Sequence, residues 1–298
     1  MSEVDVTVVI PVSLMANKLQ GLTEILDQLI SRGIEVIVVH DFQDETTSSQ
    51  LTTISNSRID SRSFLLVEGR YGGPGSARNA GLQKATRKYV TFWDSDDLVY
   101  MPNFMEFINE VLKKESDIGI AEFVLKKQEE YKSFPIKGET FSDVYRFLAI
   151  YPGLWRYMFK RENIDGLKFI NSRMGEDQVF IARALKCSQS IHLFHKPVYE
   201  YQVAGEGQLT SNPKNLIYLI SSLREMSNIH LSTQDPVKKE FMSLTYWKMF
   251  LTLITKRGSG VPKIELLQEL KGLRKSNPRL LKSFFLQFIT IQNYISLR

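Results

Sequence analysis

The N-terminal two thirds of the chain alternate short apolar runs with helical patterns, and this alternation constrains the fold most. Val4–Val12 and Ile34–Val39 are apolar and β-branched, which is typical of strands buried on both faces. Lys18–Ser31 lies between them and spaces its leucines and isoleucines at helical intervals. The same signals predict strands at Ser63–Val67, Tyr89–Trp93 and Asp117–Leu125, a helix within Pro74–Lys88, and a helix over Pro102–Lys114. This order predicts an α/β fold with a mostly parallel sheet flanked by helices.

The C-terminal third has a different character. After about Gly205 strand signals become few, and helical spacing dominates. The predicted helices are Leu216–Ile229, Val237–Thr255, Ile264–Leu273 and Leu280–Ile295. We therefore predict two domains, an α/β domain over residues 1–205 and an α-helical C-terminal extension over residues 206–298.

An acid cluster follows the strand predicted at Tyr89–Trp93. Asp94, Asp96 and Asp97 lie within four residues, and such carboxylates repel one another unless a cation neutralises them. Their oxygens suit a hard divalent metal such as Mg²⁺ or Mn²⁺. The C-terminal ends of parallel strands are also where α/β sheets bind ligands. The alternative is a polar strand-to-loop turn with a solvated Asp pair.

Two further features are expected at the same edge of the sheet. Asp41 follows the second predicted strand, where a carboxylate can accept a hydrogen bond from a base N–H; the alternative is a turn or helix-cap Asp. Gly72–Gly81 is a glycine-rich entry into a helix and contains Arg78, a residue suited to a phosphate or a base. Its alternative is an ordinary loop and capped helix with a surface arginine. The segment has neither the Gly-Lys-Ser/Thr of a P-loop nor a dinucleotide fingerprint.

Two features lie later in the chain. Glu176 and Asp177 begin an apolar-periodic helix, where acids complement the helix dipole and where a carboxylate could also act as a general base. Trp155 and Arg156 are candidates for lining an acceptor pocket, because aromatic faces suit sugars; core packing is the equal alternative.

Taken in order, these motifs resemble family 2 glycosyltransferases of the GT-A fold. The matching segments are Val8–Val12 with Pro11, Asp41, Gly75–Gly81, Asp94–Asp97, Trp155–Arg161 and the pair Glu176 and Asp177. The resemblance covers residues 4–205. It implies an inverting enzyme that uses a nucleotide sugar, and the expected donor is a UDP-sugar. The Gln-x-x-Arg-Trp signature of processive synthases is missing, which indicates addition of a single sugar.

The resemblance also implies residue roles. Asp41 contacts uracil, Arg78 lies close to the nucleotide, and Pro11 belongs to the strand that borders the donor site. In the acid cluster, Asp96 faces the ribose or the metal and Asp97 binds the metal.

The strand-end acid Asp94 belongs to the same motif and is assigned to nucleotide-sugar binding, with its exact contact left open. Asp177, beside Glu176, is the base that takes a proton from the acceptor hydroxyl, and the acceptor side begins at about residue 120. Two other classes stay open: a non-catalytic nucleotide-sugar or carbohydrate-binding domain, and a nucleotidyltransferase that would release pyrophosphate.

Charge is unevenly distributed along the chain. Residues 256–298 hold nine Lys/Arg and two Glu, so they carry a formal charge of +7 while the whole chain carries +5. Apolar residues from Leu281 to Ile295 recur there at helical spacing. This pattern indicates either a basic amphipathic helix on an anionic membrane surface or a helical cap that buries its aromatics.

Composition also bears on location and partners. Cys187 is the only cysteine, which excludes an internal disulfide and fits a reducing compartment. The sequence shows no signal peptide and no membrane-spanning run, so we expect a cytoplasmic protein, with peripheral membrane association open. The expected partners are a nucleotide-sugar donor and a carbohydrate or lipid-linked acceptor, as in surface polysaccharide or glycolipid synthesis. No motif for reading nucleic acid is present, so none is expected as a partner.

Overall fold

The computed structural model describes residues 3–15, 19–58, 63–138, 140–203, 213–255, 263–284 and 287–288. The chain forms two compact units. The first comprises Met1–Pro135, Leu154–Phe169 and Cys187–Ala204, and the second comprises Ile136–Gly153, Ile170–Lys186 and Gly205–Arg298. Two segments before residue 205 therefore group with the C-terminal helices, and the predicted domain boundary after residue 205 stays a prediction.

The first unit is built on a single mixed sheet. Its strands are β1 Val6–Val12, β2 Glu35–Asp41, β3 Phe64–Gly69, β4 Tyr89–Phe92, β5 Leu98–Val99, β6 Ile118–Lys127, β7 Glu130–Phe134, β8 Tyr157–Lys160 and β9 Ile191–Gln202. Their order is β3-β2-β1-β4-β8-β6-β9-β5, with β7 beside β6. The first four are parallel, β8 runs antiparallel to both its neighbours, and β9 is parallel to β6.

Helices of the first unit alternate with the strands, and all but α2 were predicted from the sequence. They are α1 Leu19–Ile30, α2 Glu45–Asn56, α3 Pro74–Lys84 and α4 Met101–Lys114. Helix α3 packs closely on the sheet at Gly81, where an added Cβ would lie 2.4 Å from a Val9 methyl and 3.0 Å from a Val39 methyl. A side chain there would push the helix away from β1 and β2, so this glycine sets the depth at which α3 lies on the sheet.

The second unit is helical over its described residues. It contains α5 Phe141–Ile150, most of α6 Glu176–Cys187, α7 Leu219–Ser232, α8 Pro236–Thr255, α9 Lys263–Ser276 and α10 Pro278–Lys282. Helix α5 joins α8 through Arg146, whose Nε donates to Glu240 across 2.8 Å. No helix among the described residues is long and apolar enough to cross a membrane.

The predicted C-terminal helices agree with α7, α8 and α9. The last predicted helix, Leu280–Ile295, falls largely on residues outside the described ranges. Within those ranges, the Phe284 ring contacts Trp247 at 4.6 Å between centroids, and the Trp247 indole N–H donates to the Leu280 carbonyl across 3.1 Å. Phe284, an apolar residue of this predicted helix, therefore packs on α8.

Candidate active site

The acid cluster lies in the loop between β4 and β5, at the C-terminal end of β4. Asp94 is the first acid of this loop, and its carboxylate accepts a hydrogen bond from the Arg78 guanidinium across 2.7 Å. The Arg78 side chain is 7% exposed and the Asp94 side chain 35% exposed, so water screens the pair from the Asp94 side only. The acid loop and the glycine-rich helix α3 thus meet through two residues that the sequence had assigned to one site.

Asp97, the last acid of the cluster, is buried. Its Oδ2 accepts from the Tyr199 hydroxyl at 2.9 Å, and its Oδ1 accepts from the Gln202 N–H at 2.7 Å. Burial, followed by the negative charge of Asp94, raises the pKa of Asp97 to about 8. Both oxygens of Asp97 therefore have protein donors, and its charge is disfavoured in the absence of a nearby cation.

Asp96 is the exposed acid of the cluster. Among the residues that the structure describes, no group of three or more His, Cys, Asp or Glu side chains forms a complete metal site. Mg²⁺ and chemically similar cations are commonly held by one or two carboxylates together with substrate phosphates. The donor set here, the exposed Asp96 and the buried Asp97, fits a cation that is shared with a diphosphate.

Asp41 is the last residue of β2 and supports the glycine-rich loop. Its Oδ1 accepts from the backbone N–H groups of Tyr71 and Gly72, at 2.7 and 3.2 Å. Gly72 has φ +76°, a left-handed conformation that favours glycine, and Gly73 caps α3. The carboxylate predicted to contact a base therefore also fixes the turn that leads into α3. Pro11 lies near the end of β1, directly beside β2 and half-buried.

Asn79, within the glycine-rich motif, contacts a distant segment. Its amide donates to the Phe169 carbonyl at 2.9 Å and accepts from the Phe169 N–H at 2.8 Å. The Phe169 ring in turn lies 5.7 Å from the Arg78 guanidinium carbon. The motif that carries Arg78 is therefore anchored on both sides, by Asp94 and by Phe169.

Trp155 and Arg156, the predicted acceptor residues, lie in the core of the first unit. The Trp155 ring stacks on Tyr199 with centroids 4.5 Å apart and planes 6° apart. Arg156 is 1% exposed, and its Nε donates to the Ala121 carbonyl at 2.8 Å. Burial lowers the pKa of Arg156 to about 10. These contacts are packing contacts, and a role in acceptor binding stays a prediction.

Glu176 and Asp177 begin α6 in the second unit. Gly175 precedes them with φ +77°, and a Cβ added there would lie 2.9 Å from the Ser222 side chain. The Ser222 hydroxyl donates to the Met174 carbonyl at 2.7 Å. Glu176 is buried, whereas Asp177 is half-buried. Helix α7 therefore fixes the point at which α6 begins, and the two acids occupy its first turn as predicted.

Sequence patterns did not identify Tyr199. It lies in β9, more than a hundred residues after the acid cluster, yet its hydroxyl contacts the first and the last acid of that cluster. A tyrosine in a strand carries no local signal of such a role, because the pairing of β9 with β5 decides where the hydroxyl lies.

Comparison with known proteins identifies the family. Residues 7–180 match the family model described as Glycosyl transferase family 2. The chain belongs to this family. The match spans the strand motif, the glycine-rich loop, the acid cluster and the Glu-Asp pair, and it confirms the resemblance and the glycosyltransferase class predicted from the sequence. Glycosyltransferase GlyA of Streptococcus pneumoniae serotype 4 is 26% identical over 252 residues. That alignment covers 78% of this chain but only 36% of GlyA, so the chain spans about a third of that relative.

Solved structures confirm the predicted fold class of this family 2 glycosyltransferase. S. aureus TarS 1-349, in a crystal structure with UDP-GlcNAc, superposes with a TM-score of 0.70 at 16% identity, covering 98% of this chain and 92% of TarS 1-349. Mannosyltransferase PcManGT from Pyrobaculum calidifontis, in complex with GDP-Man and Mn²⁺, gives a TM-score of 0.57 at 17% identity, covering 98% of this chain and 87% of PcManGT. At such identities the likeness shows the fold alone.

Proposed function

We propose that this family 2 glycosyltransferase transfers one sugar from a UDP-sugar to an acceptor hydroxyl with inversion at the sugar carbon. The observation that carries the proposal is the meeting of three predicted donor elements in the first unit. Arg78 pairs with Asp94, and Asp41 holds the glycine-rich loop that leads to Arg78. Asp41, the glycine-rich loop and the acid loop are separate in sequence. They lie together at the C-terminal ends of β2 and β4.

The donor would lie along this edge. Asp41 has a second carboxylate oxygen, beyond the Oδ1 that holds Tyr71 and Gly72, with which to accept from a base N–H. Pro11 borders the same position from β1, and Asp94 and Asp96 would face the ribose and diphosphate. We propose UDP as the nucleotide of the donor because TarS, which shares the fold, was crystallised with UDP-GlcNAc. PcManGT, crystallised with GDP-Man, makes a guanine nucleotide the competing choice.

Mn²⁺ or Mg²⁺ is the proposed cofactor. The charge that develops on the departing diphosphate would be neutralised by a divalent cation bound with the donor. Asp96 is the exposed carboxylate of the loop and would contact the cation, while Asp97 would do so only through an oxygen that already accepts from Tyr199 or Gln202. The Mn²⁺ in PcManGT supports a metal in proteins of this fold.

Asp177 is the proposed general base, with Glu176 beside it. A base must remove the acceptor proton as the hydroxyl attacks the sugar carbon, and a single in-line displacement inverts that carbon. Asp177 is the more exposed of the two acids, so it is the better placed to meet an acceptor, while the buried Glu176 supports the start of α6.

The acceptor is proposed to be a carbohydrate or a lipid-linked sugar of surface polysaccharide or glycolipid synthesis. A membrane-bound acceptor would suit the exposed basic face of α9 and α10, formed by Arg274, Lys275, Arg279 and Lys282. On the opposite side of these helices Leu273 and Leu280 are buried. The proposed contact with an anionic membrane is therefore electrostatic, and the proposed location is the cytoplasmic face, where the single Cys187 would remain reduced.

A product assay tests the proposal. Purified protein would be screened for thermal stabilisation by UDP- and GDP-sugars with and without Mn²⁺, because a ligand that binds only the folded state raises its apparent stability. The stabilising donor would then be incubated with candidate acceptors. Release of UDP supports the proposal, release of pyrophosphate would indicate a nucleotidyltransferase, and donor binding with no turnover on any acceptor would favour a binding domain.

Two variants and a control test the metal assignment. Asp96→Asn and Asp97→Asn are each expected to lose most Mn²⁺-dependent UDP affinity, and Asp97→Asn is also expected to alter the packing of β9. Asp165→Asn changes an exposed acid outside the acid loop and should leave UDP affinity unchanged. Undiminished Mn²⁺-dependent binding in Asp96→Asn would contradict its place as the metal ligand.

A further inference from the structure

Strand β9 pairs with the segment that directly follows the acid loop. Leu98 and Val99 pair antiparallel with Glu200 and Tyr199, and the Tyr100 N–H donates to the Val198 carbonyl across 2.9 Å. The loop that carries the three acids is thus attached to β9 directly after its last acid. Any change in β9 would move the C-terminal end of that loop.

The Tyr199 hydroxyl attaches the loop at two more points. It accepts from the Asp94 N–H at 3.1 Å and donates to the Asp97 Oδ2 at 2.9 Å. A single oxygen therefore connects the backbone of the first acid with the side chain of the last. Asp96, the exposed acid, lies between these two attachment points.

Packing fixes the position of that hydroxyl. The Tyr199 ring is fully buried, stacks on Trp155, and lies 6.4 Å from the Trp93 ring. A ring enclosed in this way cannot change rotamer without opening the core. The hydroxyl is accordingly a rigid support, and the stack on Trp155 is part of what holds it.

We propose that Tyr199 is a positioning residue for the donor site. By fixing the Asp94 backbone and the Asp97 carboxylate, its hydroxyl holds the acid loop in the shape that presents Asp96 to the diphosphate and its cation. The inference rests on the proposed function for the ligand, but the support of the loop is a property of the free protein. A loop that is ordered before binding loses less conformational entropy when the donor binds.

Tyr199→Phe tests the support of the loop without any ligand. The variant keeps the ring and removes only the hydroxyl, so the stack on Trp155 should persist. Losing the hydrogen bond should speed amide hydrogen exchange at Asp94 by about 2- to 10-fold. Tyr201→Phe is the matched control, since Tyr201 lies on the same strand and its ring stacks on Trp155 at 5.8 Å. Equal exchange at Asp94 in wild type and Tyr199→Phe, or global unfolding of this variant, would overturn the role.

Calorimetric titration with UDP and Mn²⁺ tests the consequence for the donor site. We expect Tyr199→Phe to bind UDP about tenfold more weakly than wild type in the presence of Mn²⁺, and Tyr201→Phe to bind as wild type does. Wild type that binds UDP, with Tyr199→Phe binding equally well, would overturn the role of Tyr199 and leave the proposed function standing. Wild type that binds no UDP would overturn the proposed donor and this role together.

Discussion

The guanidinium of Arg78 donates to the carboxylate of Asp94 across 2.7 Å and is almost fully enclosed. This contact joins the glycine-rich helix to the acid loop, and it places a positive charge directly beside Asp94. Arg78 therefore supports the acid loop through Asp94, a contact that the sequence did not predict beside its proposed contact with a nucleotide.

A double-mutant cycle measures how much the Arg78–Asp94 pair contributes to the free energy of unfolding. Arg78→Met should lower the free energy of unfolding by about 1–3 kcal/mol, because Asp94 loses its charged partner. Adding Asp94→Asn should recover part of that loss, since the unpaired charge is removed. Arg32→Met, which removes an exposed arginine, should change stability by less than about 0.5 kcal/mol. Strictly additive effects of the two substitutions in urea unfolding would show that the pair contributes nothing.

Asp177→Asn should separate binding from chemistry. The variant retains the shape of the side chain but cannot take a proton, so we expect turnover to fall by about 10²- to 10⁴-fold with UDP affinity unchanged. Initial rates and calorimetric titration measure the two quantities. Glu176→Gln is the companion variant. A larger loss of turnover in Glu176→Gln than in Asp177→Asn would exchange the roles assigned to these acids.

Sequence patterns predicted the apolar strands well, because their β-branched runs are buried on both faces. They did not predict α2, whose sequence is rich in Ser and Thr and whose only buried positions are Thr47 and Leu51. This helix depends on its cap, in which Asp44 accepts from the Thr47 N–H at 2.7 Å. That hydrogen bond lowers the pKa of Asp44. Asp44 is therefore the N-terminal cap of α2.

The sequence predicted residues of the candidate site only where they belong to a short motif that is recognisable by itself. Asp94 and Arg78 belong to such motifs, and the structure brings them into contact. Trp155 and Arg156 suggested a pocket by their chemistry, yet their burial follows from the pairing of β6, β8 and β9, which no short segment encodes. Tyr199 was missed for the same reason, since strand pairing alone brings it to the acid loop.

His230 should make the stability of the second unit depend on pH. It is buried in α7, its Nδ1 lies 3.1 Å from the Asn277 amide nitrogen, and burial lowers its pKa to about 4. The unfolded chain therefore binds a proton at higher pH than the native state does. The contribution of neutral His230 is fully present above pH 6.5 and is lost as pH falls from about 6.5 to 4, by up to about 3 kcal/mol.

His230→Gln isolates this contribution, because glutamine retains polarity and does not titrate. Urea unfolding at several pH values would measure the free energy of unfolding of both proteins. We expect the difference between wild type and His230→Gln to shrink as the pH falls through this range, since only wild type contains the titrating histidine. A difference that stays constant with pH would contradict the assignment.

Gly175→Ala should disturb the start of α6 more than its backbone conformation alone predicts. Gly166 provides the comparison, since its φ is +72°, close to the +77° of Gly175, but no atom lies within 4 Å of an added Cβ there. Gly166→Ala should therefore cost about 1 kcal/mol of backbone strain. Gly175→Ala should cost more by about 1–3 kcal/mol, because Ser222 and Leu219 must move. Equal losses in thermal unfolding would show that α7 adapts freely.

The basic face of α9 and α10 should bind anionic membranes by charge. Arg274, Lys275, Arg279 and Lys282 are exposed, whereas Leu273 and Leu280 of the same helices are buried, so the expected contact is made by charge. Replacing all four by Gln should reduce flotation with phosphatidylglycerol vesicles by at least about tenfold, since each basic residue near such a surface contributes about 1 kcal/mol. The control variant replaces four exposed lysines of the first unit, Lys84, Lys113, Lys127 and Lys132, by Gln. It changes the net charge equally and should float as wild type does. Equal flotation of the two variants would assign binding to net charge alone, and absence of flotation by wild type would leave the basic face as an ordinary solvated surface.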